Sequence, residues 1–145
     1  MALKQQNFST ARSNFKAVFD IVAVRQQPLI VNRYQDEIFM ISRQLQKDLL
    51  GCYVIPAEIL PEEDGSVTIA VDILEMAVNG ATREAAIDEL ITDLKMYAQD
   101  YMDRVGLFLQ APNRRSHFPF VLRVLLASDD EEIRQIVRWI DAAKV

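Results

Sequence analysis

Most of the ingredients of an active site are scarce in this chain. Its 145 residues include one cysteine, one histidine and four glycines. A lone Cys52 excludes an intramolecular disulfide and fits a reducing compartment. Cys52 and His117 stand far apart, with no flanking motif to pair a nucleophile with a base or to hold a metal. The glycines (Gly51, Gly65, Gly80 and Gly106) fall singly at the ends of expected elements, which excludes a Gly-rich phosphate loop. Long apolar runs are missing too. The stretch 118–127 is interrupted by Arg123 and falls well short of the roughly 20 residues a membrane span needs. Lys4, Gln5, Gln6 and Asn7 occupy the place where a signal peptide would be apolar. The expectation is a cytoplasmic protein with no cofactor, no metal and no membrane partner. The acidic clusters 62–64 and 129–132 lack the alternating oxygen ligands of a calcium loop, and the second reads as a helix start.

Half of the residues are apolar, enough for one full core or for two small modules. Charge is divided unevenly. Residues 1–50 hold seven Lys/Arg against four Asp/Glu, a net of +3, whereas residues 51–145 hold nine against seventeen, a net of −8. A basic head on an acidic body predicts two modules, 1–50 and 51–145, with different partners.

In the head, residues 3–8 read as a short strand. Ser9 or Thr10 is placed to cap a helix whose Ala11, Phe15, Val18, Phe19 and Val22 form one apolar stripe. Pro28 ends that element. The runs 29–31 and 38–41, separated by polar residues 32–37, read as an antiparallel hairpin. Ser42 then caps a short helix with Leu45, Leu49 and Leu50 inward and Gly51 as its stop.

In the body, residues 53–60 read as a strand that Pro56 assigns to an edge. A second strand, 66–76, alternates Val67, Ile69, Val71 and Ile73 against polar or small neighbours. Thr82 caps a long helix that buries Ile87, Leu90, Ile91, Leu94, Tyr97, Ala98, Tyr101 and Val105, and Gly106 ends or bends it. A loop over 110–116 follows, and residues 120–127 are apolar enough for a buried helix, with a strand as the alternative. The capping-box spacing from Ser128 to Glu131 launches a last helix carrying Ile133, Ile136, Val137 and Ile140.

Thr10, Arg12, Ser13, Asn14 and Lys16 cluster near a helix start, where exposed N–H groups favour phosphate and arginine can reach a guanine edge. Arg12 and Lys16 are four residues apart on one face. Lys4 and Arg33 join this surface if the hairpin lies beside the helix start. The same residues also suit an ordinary solvated helix face.

Over residues 7–50 the sequence resembles the N-terminal domain of Phd/YefM antitoxins. The likeness rests on Phe8-Ser9-Thr10-Ala11-Arg12-Ser13-Asn14-Phe15, on Pro28-Leu29-Ile30-Val31-Asn32-Arg33 and on Ile38-Phe39-Met40-Ile41-Ser42, in that order. Tyr34-Gln35-Asp36-Glu37 replaces the family's usual turn glycine, and Gln46 replaces a common aromatic residue. The resemblance implies an α+β protein whose N-terminal helix and small antiparallel sheet form a homodimer on operator DNA. By position it implies Arg12 as the leading DNA contact, with Thr10, Ser13 and Arg33 beside it; Lys4 and Lys16 are added on charge. Phe15, Phe19, Ile30, Ile38 and Met40 are the expected dimer contacts. The body is expected to be a β-hairpin followed by a helix-rich part. Its Asp64-Gly65-Ser66-Val67 and Asn79-Gly80-Ala81-Thr82-Arg83-Glu84-Ala85 resemble the strand–strand–helix module of HicB-type antitoxins, and a generic hairpin before a capped helix fits equally.

The function implied is that of a non-enzymatic type II antitoxin: it binds a cognate protein toxin and represses its own operon. An acidic body suits a basic partner. Two alternatives stay open: a neutralising or interaction subunit of the same fold without DNA binding, and a small enzyme using the acids Asp64 and Asp72.

Overall fold

The computed structural model describes residues 2–142 and is α+β. The chain divides between Leu50 and Gly51 into two compact units.

The N-terminal unit carries a three-stranded sheet of β1 (Lys4–Asn7), β2 (Leu29–Arg33) and β3 (Asp36–Met40), in that spatial order. β2 and β3 pair antiparallel around the two-residue turn Tyr34–Gln35, with Arg33 opposite Asp36. β1 runs parallel to β2, so the small sheet is mixed rather than wholly antiparallel. Parallel neighbours need a crossover, and the helical segment between them supplies it.

That segment is not one continuous helix. α1 (Phe8–Ser13) ends at Asn14, whose backbone leaves the helical region (φ −139°, ψ 59°). α2 (Phe15–Phe19) restarts at once, with Asn14 Oδ1 accepting from the Ala17 amide at 3.4 Å. It runs into a π-helical turn, Asp20–Val24. Nor do Ser9 or Thr10 cap α1. Asn7 does, its Oδ1 accepting from the Thr10 amide at 2.8 Å. The break and the wider turn rotate the expected apolar stripe into two faces. Ala11, Val18 and Val22 face inward with Leu29, Val31 and Met40, while Phe15 and Phe19 face outward. α3 (Arg43–Leu49) starts where Ser42 Oγ accepts from the Leu45 amide at 3.1 Å. Leu50 is buried, but Leu49 is exposed rather than inward.

The C-terminal unit is a four-stranded sheet of order β6-β5-β4-β7, with its helical layer on one face. β4 (Ile55–Pro61), β5 (Val67–Val71) and β6 (Met76–Gly80) form an antiparallel meander. The single expected strand 66–76 is two strands, because Asp72–Leu74 make a 3₁₀ turn and Glu75 adopts a left-handed backbone (φ 54°). The turn buries Leu74 and turns Ile73 outward, which breaks the alternation read from sequence. β7 (Val137–Asp141) pairs parallel with β4, so β4 is central despite Pro56. Pro56 is tolerated because the β5 ladder begins only at Glu58, leaving no β5 bond for its missing N–H to break.

α4 (Arg83–Asp103) is capped by Thr82, whose Oγ1 accepts from the Ala85 amide at 3.1 Å. It buries Ala86, Ile87, Leu90, Ile91, Leu94, Ala98 and Tyr101 along one stripe of 3- and 4-residue steps. Arg104 interrupts the helix, two residues before Gly106, and α5 (Val105–Gln110) follows. α6 (Phe118–Leu126) contributes Val121 and Val124 to the same core. α7 (Asp130–Ile136) is capped by Asp129, one residue later than expected. Asp129 accepts from the Glu132 amide at 2.8 Å, and Glu132 reaches back to the Ser128 amide at 2.5 Å. The last helix therefore keeps Ile133 and Ile136 but yields Val137 and Ile140 to β7.

Candidate functional site

In the N-terminal unit the expected cations Lys4, Arg12, Lys16 and Arg33 are all exposed. Arg12 lies exposed in the last turn of α1. Arg33, at the end of β2, places its guanidinium 5.3 Å from the centroid of the Phe8 ring, the first residue of α1. This cation–π contact holds the hairpin tip beside the helix start. Asn7, Phe8, Ser9, Asn32, Arg33 and Tyr34 line an open depression of about 420 Å³ there. Thr10 and Ser13 are exposed on α1, and the Ser13 hydroxyl donates to the Thr10 carbonyl at 2.9 Å.

Two of the expected cations are set apart. The break at Asn14 puts Lys16 on α2, so Arg12 and Lys16 do not share a continuous helix face. Lys4 pairs with Leu29 at the far end of β1, three residues from Asn7, or about 10 Å along the strand. Tyr34 is the residue that sequence reasoning missed. It is 98% exposed, sits beside Arg33 and takes a positive φ of 56° in a turn where glycine is the usual occupant. A count of two residues between the paired strands is the signal for such a turn.

The expected apolar contacts also separate. Phe15 and Phe19, four residues apart on α2, are 55% and 57% exposed, and Ile38 is 59% exposed. Cross-strand partners share a face of a sheet. Ile38 therefore lies on the side of buried Val31, and Met40, opposite buried Leu29, packs against the small core. Ile30 lies on the other side with its partner Phe39, itself 53% exposed. The five residues thus do not make one face, and Phe39 completes the second.

In the C-terminal unit, Asp64 and Asp72 flank opposite ends of β5 and form no acid pair. Asp64 accepts from the Ser66 amide (2.9 Å) and hydroxyl (2.6 Å), which hold its carboxyl below the ordinary range. Cys52 is exposed and His117 buried. Tyr97 OH lies 2.5 Å from His117 Nδ1, and Arg114 donates to the same phenol at 3.2 Å. Burial, then the Arg114 charge, lower the His117 pKa. Tyr101 is wholly buried and donates to the Arg114 carbonyl at 2.8 Å; burial raises its pKa. Among the described residues no three His, Cys, Asp or Glu stand together as metal ligands, and no helix is long and apolar enough to cross a membrane.

The N-terminal unit thus presents exposed cations together with exposed aromatic side chains. The chain belongs to the PHD_like family, described as antitoxin of toxin-antitoxin, RelE / RelB, TA system, whose model matches residues 1–139. It is similar to a crystal structure from Syntrophomonas wolfei subsp. wolfei, described as an antitoxin part of a candidate toxin/antitoxin system. The two share 36% identity with a TM-score of 0.87, over 97% of this chain and 100% of that one. No curated protein matches the sequence.

Proposed function

We propose that this antitoxin works as a Phd/YefM-like homodimer that represses its own operon and, through the C-terminal unit, binds and blocks a cognate protein toxin. The observation that carries the DNA half is the placement of Arg33 on Phe8, which adds a second cation to the α1 surface that bears Arg12, Thr10 and Ser13. Lys16 and Lys4 contribute only to the wider field. Phe15, Phe19 and Ile38 are the apolar groups a second subunit would cover. The toxin half rests on the family and on the −8 balance of residues 51–145, which favours a basic partner. Inhibition is by occupation, with no chemistry done by this chain. The strand β6 followed by the Thr82-capped α4 is an order that a HicB-type module and a generic hairpin before a capped helix share.

Mobility shift of the upstream operator at several salt concentrations tests the DNA half. Affinity should fall steeply with salt, and Arg12→Ala should weaken binding and flatten the slope by about one unit. A protein that never shifts its promoter at low salt loses the repressor role. One observation favours the second reading, a neutraliser without operator binding. α1 is only six residues long and broken from α2, a short element to dock in a groove.

A further inference from the structure

In the C-terminal unit the helices cover one face of the sheet, and one row across the other face is poor in polar side chains. The positions buried against the helices alternate along each strand, from Ile55, Ala57 and Ile59 to Ile69 and Val71. Their neighbours point the opposite way. One row of these crosses all four strands in register: Ala77, Ala70, Glu58 and Ile140. A face meant for water alternates to polar side chains; this row has one charge among three apolar residues. Along it runs a groove of about 200 Å³, lined by Pro56, Glu58, Ala70, Asp72, Ile73 and Ile140. Ile73 and Ile140 are more than a third exposed. Among the described residues neither Glu58 nor Asp72 has a hydrogen-bonded or ionic partner for its carboxylate.

We propose that this groove is where the toxin docks, and that it receives a segment presenting an apolar side chain flanked by Lys or Arg. The inference rests on the toxin-binding reading above and gives it a place. Charge selects the occupant. Two carboxylates in an apolar lining reward an incoming cation and repel nucleic acid or an acidic segment. A second copy of this chain would set Glu58 and Asp72 against their own kind if the two faces met. Arg138, opposite Pro56 in the parallel ladder, leaves one cation at the margin. The complementary segment is therefore basic at its centre rather than along its whole length.

The test uses the full chain and the protein encoded in the neighbouring reading frame, with affinity measured by calorimetry. Wild type binds. Ile140→Glu, and separately Glu58→Lys with Asp72→Lys, weaken binding roughly tenfold or more. The near-isosteric pair Glu58→Gln with Asp72→Asn weakens it less and makes it less salt-dependent, and serves if the bulkier changes disturb folding. Wild-type affinity in every folded groove variant overturns the groove while leaving toxin binding in place. A change in self-association of Ile140→Glu without partner overturns it in favour of a second copy. No binding by wild type removes the toxin-binding reading and this inference together.

Discussion

Tyr97 and His117 are joined phenol to imidazole, 2.5 Å apart, and Arg114 donates to the same phenol oxygen at 3.2 Å. The guanidinium can only donate, so it takes a lone pair of the Tyr97 oxygen. Burial and the nearby Arg114 charge favour the neutral form of His117. Arg114 also lies 3.8 Å from Glu75, and its carbonyl accepts from Tyr101. The chain of contacts links α4 to the 3₁₀ turn before β6 and to the segment before α6, three pieces distant in sequence.

This arrangement makes stability depend on pH. Burial and the Arg114 charge lower the folded-state pKa of His117 below its ordinary 6.5, against a smaller opposing effect of Glu75. The unfolded chain then takes up a proton first as pH falls. The contribution of the neutral histidine is therefore complete above about pH 6.5 and is lost as pH falls through the folded-state value. Thermal unfolding between pH 7.5 and 5.5 should show a falling midpoint, and His117→Gln should flatten the fall. An equal slope in both proteins would assign the effect elsewhere.

Tyr34 offers a stabilising change. An L-residue with a side chain held at φ 56° costs about 1–2 kcal/mol, and glycine is free of that penalty. At 98% exposure the ring gives up almost no packing when removed. Tyr34→Gly should stabilise the N-terminal unit by about 0.5–1 kcal/mol after the added chain entropy is counted. Urea unfolding followed by a probe in residues 1–50 measures it. A loss of operator affinity in the same variant would give the ring a binding role.

How much was legible in the sequence follows from which forces act locally. Caps formed by a side chain and an amide three residues on were readable at Thr82 and Ser42, since both partners lie in one turn. The buried stripe of α4 was readable for the same reason: 21 residues repeat one period. The break at Asn14 was not, because Asn7 and Asn14 compete with Ser9 and Thr10 as caps and the outcome depends on packing around Ala11 and Val18. Nor was β7. Val137–Asp141 continues an apolar helical pattern, and only its parallel partner β4, some eighty residues earlier, makes it a strand. At the candidate site, Arg12 was readable from a local pattern. The approach of Arg33 to Phe8 depends on the parallel register of β1 and β2, which no local pattern encodes.

Gly80 closes β6 where the chain passes directly beneath the first turn of α4. A methyl group there would collide with the backbone of Ala85 and Ala86, which cannot rotate away as a side chain would. Gly80→Ala should cost about 1–3 kcal/mol, the range for overpacked sites. Chemical denaturation of the C-terminal unit measures it. A cost within error of zero would mean that the start of α4 shifts freely.

Phe15 and Phe19 separate assembly from folding. Both are more than half exposed in the single chain, so truncating them removes little from its core, whereas Val18 between them is 1% exposed. Covering a half-exposed phenylalanine contributes about 1–1.5 kcal/mol by area, and a two-fold dimer counts each position twice. Phe15→Ala with Phe19→Ala should therefore weaken self-association roughly a hundredfold or more while leaving the thermal midpoint of the isolated subunit nearly unchanged. Val18→Ala removes two buried methyl groups and should do the reverse, losing about 1.5–3 kcal/mol of fold stability with little direct effect on association. Sedimentation equilibrium over a range of concentrations reads the first quantity and denaturation of dilute protein the second. A wild type that stays monomeric at high concentration, or a double variant that associates like wild type, would remove these two side chains from the subunit interface.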